Sequence, residues 1–423
     1  MILQHNPPPT PTLFDPIRLG PYFLPHRIFM APLTRGRADG DGTPTDIMAV
    51  YYAQRASAGL IVSEATAISP QGVGWHNAPG IFTPRQVEAW KPVTDAVHRA
   101  DGRIFLQLWH TGRLSHPDFL AGGRPVGPSA VAAAGQVRTP AGRKPFVTPR
   151  ALEVDELPGI AEDYARAARR AIHAGFDGVE VHAANGYLLD QFIRDGSNRR
   201  RDDFGGPIEG RWRFPLQATQ AVIDEIGASR TGVRLSPNVS FNSMHDSDPV
   251  AAFTYGAREL SRRRIAYLHV IEGPPGHAFG SDGPSVHPHI RAAFDHILIL
   301  NGGFDAATGQ EALASGATDA IAYGVPFIAN PDLPTRFRTG AKLNVPDRDA
   351  FYTPGSRGYT DYPFLDRGEA SVAQREPSGR KATALLRSHT QSRGPQHEGT
   401  VLMPVAGTLP DGCALSNGHV VHG

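Results

Sequence analysis

The stretch GVEVHAANGYLLDQF, residues 178–192, holds the pattern on which the fold turns. A short β-branched run, GVEV, leads into His182. Asn185 and Tyr187 follow within five positions, and a helix-period segment comes next. Strands that are apolar on both alternating faces are buried on both sides, as in parallel sheets. Polar side chains gathered where such a strand ends and a helix begins mark an edge suited to chemistry.

The same unit recurs along the chain. IFMAP (28–32) precedes TDIMAVYYAQRASAG, LIVSEA (60–65) precedes PRQVEAWKPVTDAVHRA, and IFLQLWH (104–110) precedes a Gly/Pro-rich excursion and then DELPGIAEDYARAARRAIHAG. GVRLSP (232–237), AYLHVIE (266–272), HILILNGG (296–303) and DAIAYG (319–324) each lead into a further helical stretch. With 178–183 this makes eight strand-then-helix units, which predict a parallel α/β fold and specifically a (β/α)8 TIM barrel. An open doubly wound sheet is the alternative, but no G-x-G-x-x-G follows the first strand; GGPIEG (205–210) does not fit that pattern.

Bulk properties narrow the class. The 423 residues carry a formal net charge of +1, with 40% hydrophobic and 20% charged residues. This balance suits a soluble protein with a sizeable core and offers no electrostatic ground for nucleic acid or an anionic membrane as partner. No apolar run approaches the ~20 residues of a membrane span, and the N-terminal segment lacks the order of a secretory signal. The single Cys413 excludes an intrachain disulfide framework. A cytoplasmic protein is the expectation. Beyond about Asp366 no period persists, so the expected organisation is a barrel over 1–365 and a low-order tail over 366–423.

In a TIM barrel the strands deliver their functional groups at their C-terminal ends. Strand ends here offer Pro32, Leu33 and Thr34; Glu64 and Ala65; Gln107, Trp109 and His110; His182, Asn185 and Tyr187; Arg234; Asn301, Gly302 and Gly303; and Tyr323 and Gly324. No nucleophile–base pair stands out. His287, His289 and His296 lie close in sequence but lack carboxylates at ligand spacing, so no metal site is expected. The glycine-rich ends of the last two strands suit a phosphate. A phosphate, a cation, an amide and further donors together suggest a bound cofactor.

These stretches resemble the Old Yellow Enzyme family of FMN-dependent ene-reductases, and within it the bacterial N-ethylmaleimide reductase and alkene reductase group. The matches are MAPLTR (30–35), SEAT (63–66), QLWHTGR (107–113), HAANGYLLDQF (182–192), RDDFGG (201–206), GVRLSP (232–237), FIANPDL (327–333) and GYTDYP (358–363), in order. The resemblance implies that NADPH reduces bound FMN and that an electron-poor alkene (an enone, enal, maleimide or nitro compound) takes hydride from flavin N5. It assigns His182 and Asn185 to the substrate carbonyl and Tyr187 to proton donation. Thr34 would bond the flavin carbonyl beside N5, Gln107 the pyrimidine edge, and Arg234 the N1/O2 side. Pro32, Leu33 and Ala65 would contact the ring, Gly302, Gly303, Gly324 and Val325 would flank the phosphate, and Trp75, Trp109 and Tyr352 would wall the substrate pocket.

Two departures stand out. The family usually reads G-R-P-F at the end of strand 8, and this chain reads Gly324-Val325-Pro326-Phe327. Thr353 and Pro354 replace the usual glycines beside Tyr352. The alternative is therefore a non-catalytic or weakly active flavin-binding protein with an impaired phosphate grip. A Schiff-base aldolase is disfavoured, because no strand-end Lys is present.

Overall fold

In the computed structural model the described residues are 10–274, 277, 280 and 283–366. The tail expected from 366 onward lies, after Asp366, outside them. Eight parallel strands form the centre: β1 Ile28–Met30, β2 Ile61–Val62, β3 Ile104–Trp109, β4 Gly178–Ala183, β5 Thr231–Leu235, β6 Tyr267–Ile271, β7 Ile297–Asn301 and β8 Ala320–Tyr323. Each pairs with its sequence neighbour, and β8 pairs with β1, so the sheet closes on itself. Seven lie within the runs identified from sequence, and β5 begins one residue ahead of its run, at Thr231.

Helices α1 (Asp46–Gln54), α2 (Pro84–Arg99), α3 (Leu157–His173), α4 (Leu188–Ile193), α5 (Ile208–Ile226), α6 (Pro249–Arg262), α7 (His287–Ala293), α8 (Ala306–Ala314), α9 (Val325–Ala329) and α10 (Leu333–Thr339) follow the strands. Their starts are written locally. Thr83 Oγ1 accepts from Gln86 N at 3.2 Å while Gln86 Oε1 accepts from Thr83 N at 3.0 Å, with Pro84 opening α2. Asp305 caps α8 with the same reciprocal pair, to Thr308, and Asp248 caps α6 by accepting from Ala251 N.

Two cores result. The larger lies between strands and helices and includes Ile28, Ile61, Val179, Val181, Trp90, Tyr164, Trp212 and Phe253. The smaller fills the barrel itself with Phe29, Ala31, Leu60, Val62, Phe105, Tyr267, Ile299, Ala320 and Ala322. An antiparallel hairpin, Ile17–Leu19 with Tyr22–Leu24, contributes Ile17, Leu19 and Leu24 to this inner core. This hairpin leaves no signal in the sequence, because its strands are three residues each, too short to show a period. The inner aromatic rings need room: a Cβ added at Gly178 would sit 2.5 Å from Phe105 Cζ, and one at Gly232 would sit 2.2 Å from Tyr267 Cζ. A second hairpin, Gln136–Thr139 with Gly142–Pro145, rises from the excursion after β3.

Candidate active site

The turn after β4 is the best-defined part of the rim. Asn185 adopts a left-handed backbone, φ 60°, which Asn tolerates better than most residues. Its N–H donates to Ser236 Oγ at 2.7 Å, and Gly186 N–H donates to Asp190 Oδ2 at 2.8 Å. Gln191 Nε2 reaches Gly186 O at 2.7 Å and Thr111 O at 3.1 Å. Asp190 is itself buried and paired to Arg194 at 2.8 Å. These fixed bonds deliver His182, Asn185 and Tyr187 to one place, with the His182 and Tyr187 rings 4.9 Å apart. Burial pushes the Tyr187 phenol well above its ordinary value, with Tyr352 adding to the effect, so the hydroxyl keeps its proton.

His182, Asn185 and Tyr187 line one narrow slot with Pro32, Thr34, Ala65 and Gln107. Seven of the expected residues, from strands β1 to β4, therefore meet as the sequence implied. Beneath them the barrel interior turns polar. Gln107 Nε2 donates to Glu180 Oε1 at 2.8 Å, and Glu180 Oε2 lies 2.8 Å from His269 Nδ1. Arg234 Nη2 donates to Asn301 Oδ1 at 2.9 Å, and Asn301 Nδ2 donates to Ala322 O at 2.8 Å. Burial lowers the Arg234 guanidinium to about 10, so it remains a cation at neutral pH.

Two larger cavities flank this slot. One, of about 290 Å³, is lined by Trp75, Tyr187, Tyr352, Phe241, Asn242 and the hairpin residues Arg138 and Arg143, among others. Trp75 and Tyr352 face each other across 5.5 Å. Trp109 is not in this wall: it is buried behind Tyr187, ring to ring at 5.0 Å, and supports the phenol from the core. The other cavity, of about 280 Å³, is lined by Ala31, Leu33, Gly302, Gly303, Gly324, Val325 and His277, among others. Residues 31–34 thus alternate between this cavity and the slot, Ala31 and Leu33 lining the cavity and Pro32 and Thr34 the slot. His277 was missed by sequence reasoning, since it lies in the loop after β6 with no motif around it. Val325 leaves this cavity without an arginine among its described lining residues.

The residues present fit FMN at both ends. A carboxamide, a hydroxyl and a guanidinium match the donors and acceptors of a pyrimidine-like ring edge. Gly302 and Gly303, at φ 124° and 78°, turn the backbone below the second cavity. A Cβ on Gly302 would lie 2.7 Å from Glu272 O, so glycine is required there by packing as well.

A clamp built from β1 and β2 holds the segment that carries Tyr352. Arg35 donates to Phe351 O at 3.1 Å and Gly358 O at 2.7 Å, and Arg37 donates to Phe351 O at 2.7 Å and Ala350 O at 2.9 Å. The fully buried Glu64 accepts from Arg35 N at 3.1 Å and from Tyr52 Oη at 3.3 Å.

A match to the NADH:flavin oxidoreductase / NADH oxidase family covers residues 12–344. The chain is 45% identical over 362 residues to 12-oxophytodienoate reductase 1 of Oryza sativa subsp. japonica, covering 84% of this chain and 93% of that protein. Its structure resembles that of the old yellow enzyme homologue from Zymomonas mobilis, at 52% identity and a TM-score of 0.83, covering 84% of this chain and all of that one. It also resembles morphinone reductase, at 48% identity and a TM-score of 0.81, covering 85% and 98%. The chain belongs to the Old Yellow Enzyme family of flavin oxidoreductases. Among the described residues no helix is long and apolar enough to cross a membrane, and no group of three His, Cys, Asp or Glu side chains is placed to hold a metal.

The Glu64 carboxyl supplies a pH test of the clamp. Burial raises it to about 7, against the pull of Arg35 and Tyr52. A carboxyl whose folded value exceeds its unfolded one stabilises the fold fully below the unfolded value and loses that contribution as pH rises through the folded one. Between pH 4.5 and 8 this group should therefore remove up to about 3 kcal/mol of stability. In Glu64→Gln, which mimics the protonated carboxyl, urea unfolding at a series of pH values should show this slope flattened. An unchanged slope would assign the titration elsewhere.

Proposed function

We propose that this protein is an FMN-dependent ene-reductase that uses NADPH to reduce activated C=C bonds. The observation that carries this reading is the convergence of His182, Asn185 and Tyr187 on one slot with Thr34 and Gln107, with the buried Arg234 in register beside His182 on the next strand. Family membership supports it, as do relatives named as reductases of 12-oxophytodienoate and of morphinone.

FMN, when bound, supplies hydride transfer in both half-reactions. Pro32, Leu33, Thr34, Ala65, Gln107 and Arg234 would hold its ring, and the backbone at Gly302, Gly303, Gly324 and Val325 its phosphate. His182 and Asn185 donate to the carbonyl oxygen of the alkene substrate, where negative charge builds in the transition state. Tyr187, held protonated by its burial, gives its proton to the substrate α-carbon. Trp75 and Tyr352 narrow the cavity above to flat, electron-poor substrates, and Trp109 keeps the phenol in place.

The preference for NADPH over NADH draws on the hairpin at the cavity mouth. Arg138 and Arg143 are direct cross-strand partners there. Like charges directly opposite each other on a hairpin are destabilising. Neither makes an ion pair among the described residues, whereas the adjacent Lys144 is bound to Asp118 at 2.7 Å. A phosphate bridging the two guanidinium groups would relieve their repulsion, and the 2′-phosphate is what NADPH has and NADH lacks.

Four measurements test these points. The purified protein should be yellow, bleach with NADPH and recover on adding an enone. Asn185→Ala should slow the recovery about 10²- to 10³-fold while sparing the bleaching; a variant with both steps intact would remove Asn185 from the mechanism. Val325→Arg should tighten FMN retention about tenfold or more, read by reconstitution of apoprotein, since a charge-assisted bond contributes ~1.5–3 kcal/mol. Replacing both Arg138 and Arg143 by Ala should cut kcat/KM for NADPH at least about tenfold and leave that for NADH nearly unchanged, consistent with one charge-assisted contact.

A further inference from the structure

Glu180 is a fully buried carboxylate that no step above uses. It stands on β4 two residues before His182, one layer below the slot. Its neighbours in register are Gln107 on β3 and Gly232 on β5. One oxygen accepts from Gln107 Nε2 at 2.8 Å, and the other meets His269 Nδ1 at 2.8 Å.

Two consequences follow from a carboxylate being only an acceptor. It forces the amide of Gln107 to turn nitrogen toward Glu180, which leaves the carbonyl oxygen and the second N–H to the slot. It also fixes the tautomer of His269, whose Nδ1 must carry the proton. His269 Nε2 has no hydrogen-bond partner among the described residues, so a second proton there would be a buried, unmatched donor. Burial lowers the His269 pKa; burial also works against charge on Glu180, but its hydrogen bond from His269 and the nearby Arg234 cation outweigh that and keep its pKa below the ordinary value. Tyr267, whose hydroxyl lies beside this carboxylate, is pushed far above its ordinary value by burial and stays neutral. The charges facing the underside of the slot are then one anion, Glu180, and one cation, Arg234.

We propose that Glu180 is a positioning and charge-balancing residue for the flavin: it aims the Gln107 amide at the pyrimidine edge and offsets Arg234, and so sets the cofactor's reduction potential. This rests on the FMN reading above. With Glu180 ionised the site is near neutral, and the anionic reduced ring draws only part of the Arg234 charge. Without it, the site carries a net positive charge and favours the reduced form.

The test uses full-length protein reconstituted with FMN. In Glu180→Gln the affinity for reduced over oxidised FMN should rise at least tenfold, which is about 30 mV in a two-electron midpoint potential. Glu180→Asp keeps the charge but draws it back from Gln107. Its potential should stay close to wild type while its Kd for oxidised FMN rises about tenfold. A purely structural carboxylate would instead lower Tm in both variants with potential and Kd unmoved, and that result overturns the proposal. The wild-type holoprotein gives a third readout that does not depend on either variant folding. Side-chain nitrogen shifts of His269 should report a neutral Nδ1–H imidazole from pH 6 to 9, and a protonated ring in that range overturns the charge balance. Failure of wild type to bind FMN at all would instead sink the FMN reading itself, so the two failures are told apart.

Discussion

Closing eight parallel strands into a ring sends alternate side chains into one enclosed interior. Everything else here answers to that constraint. The lower part of the barrel meets it with Phe29, Leu60, Phe105, Tyr267 and Ile299, joined by the hairpin residues Leu19 and Leu24. The upper part meets it with polar groups, several of which are matched inside the barrel. Gln107, Glu180 and His269 bond to one another across three strands, and Arg234 bonds to Asn301 across two more. Such a layer is costly if half-satisfied and specific if complete. It is therefore suited to hold a flat polar ring at a defined height and orientation.

The rim above is precise because its turns are fixed from behind. Asp190 takes a backbone N–H from the turn that carries Asn185 and Tyr187, and it is tied to Arg194, the residue that ends the same helix. Arg194 reaches on to Ser236 O, at the end of β5. Neighbouring strand ends are thereby cross-linked below the reacting groups. Supporting contacts of this kind keep donor positions from drifting, and small displacements are costly in catalysis.

The substrate side is held from a different part of the chain. Arg35 and Arg37 leave the end of β1 and bind carbonyls between residues 350 and 358, more than three hundred residues on. The Arg35 and Arg37 guanidinium groups also lie over the Tyr359 ring, at 5.1 and 4.5 Å. Thr353 and Pro354, where glycines are usual, lie inside this clamped span. The clamp explains how the loop can change composition while Tyr352 still meets Trp75.

How much was legible beforehand follows from the range of the interactions. The eight strands and the helical stretches after them were written in local patterns: apolar runs and helix-period segments whose effects act within a few residues. The rim set Pro32, Thr34, Ala65, Gln107, His182, Asn185 and Tyr187 was legible because strand ends in a barrel must converge. The placement of Trp109 behind Tyr187, of His277 beside the glycine-lined cavity, and of Arg138 opposite Arg143 was not. Nor was the bond from Glu180 to Gln107 and His269, which joins residues 73 and 89 positions apart. Sequence by itself determined that strand-end residues of β1 to β4 would meet at the mouth of the barrel. Only the tertiary structure decided which of them face the slot, which stand behind it and which hold a charge in balance, because those roles depend on contacts between strands distant in sequence.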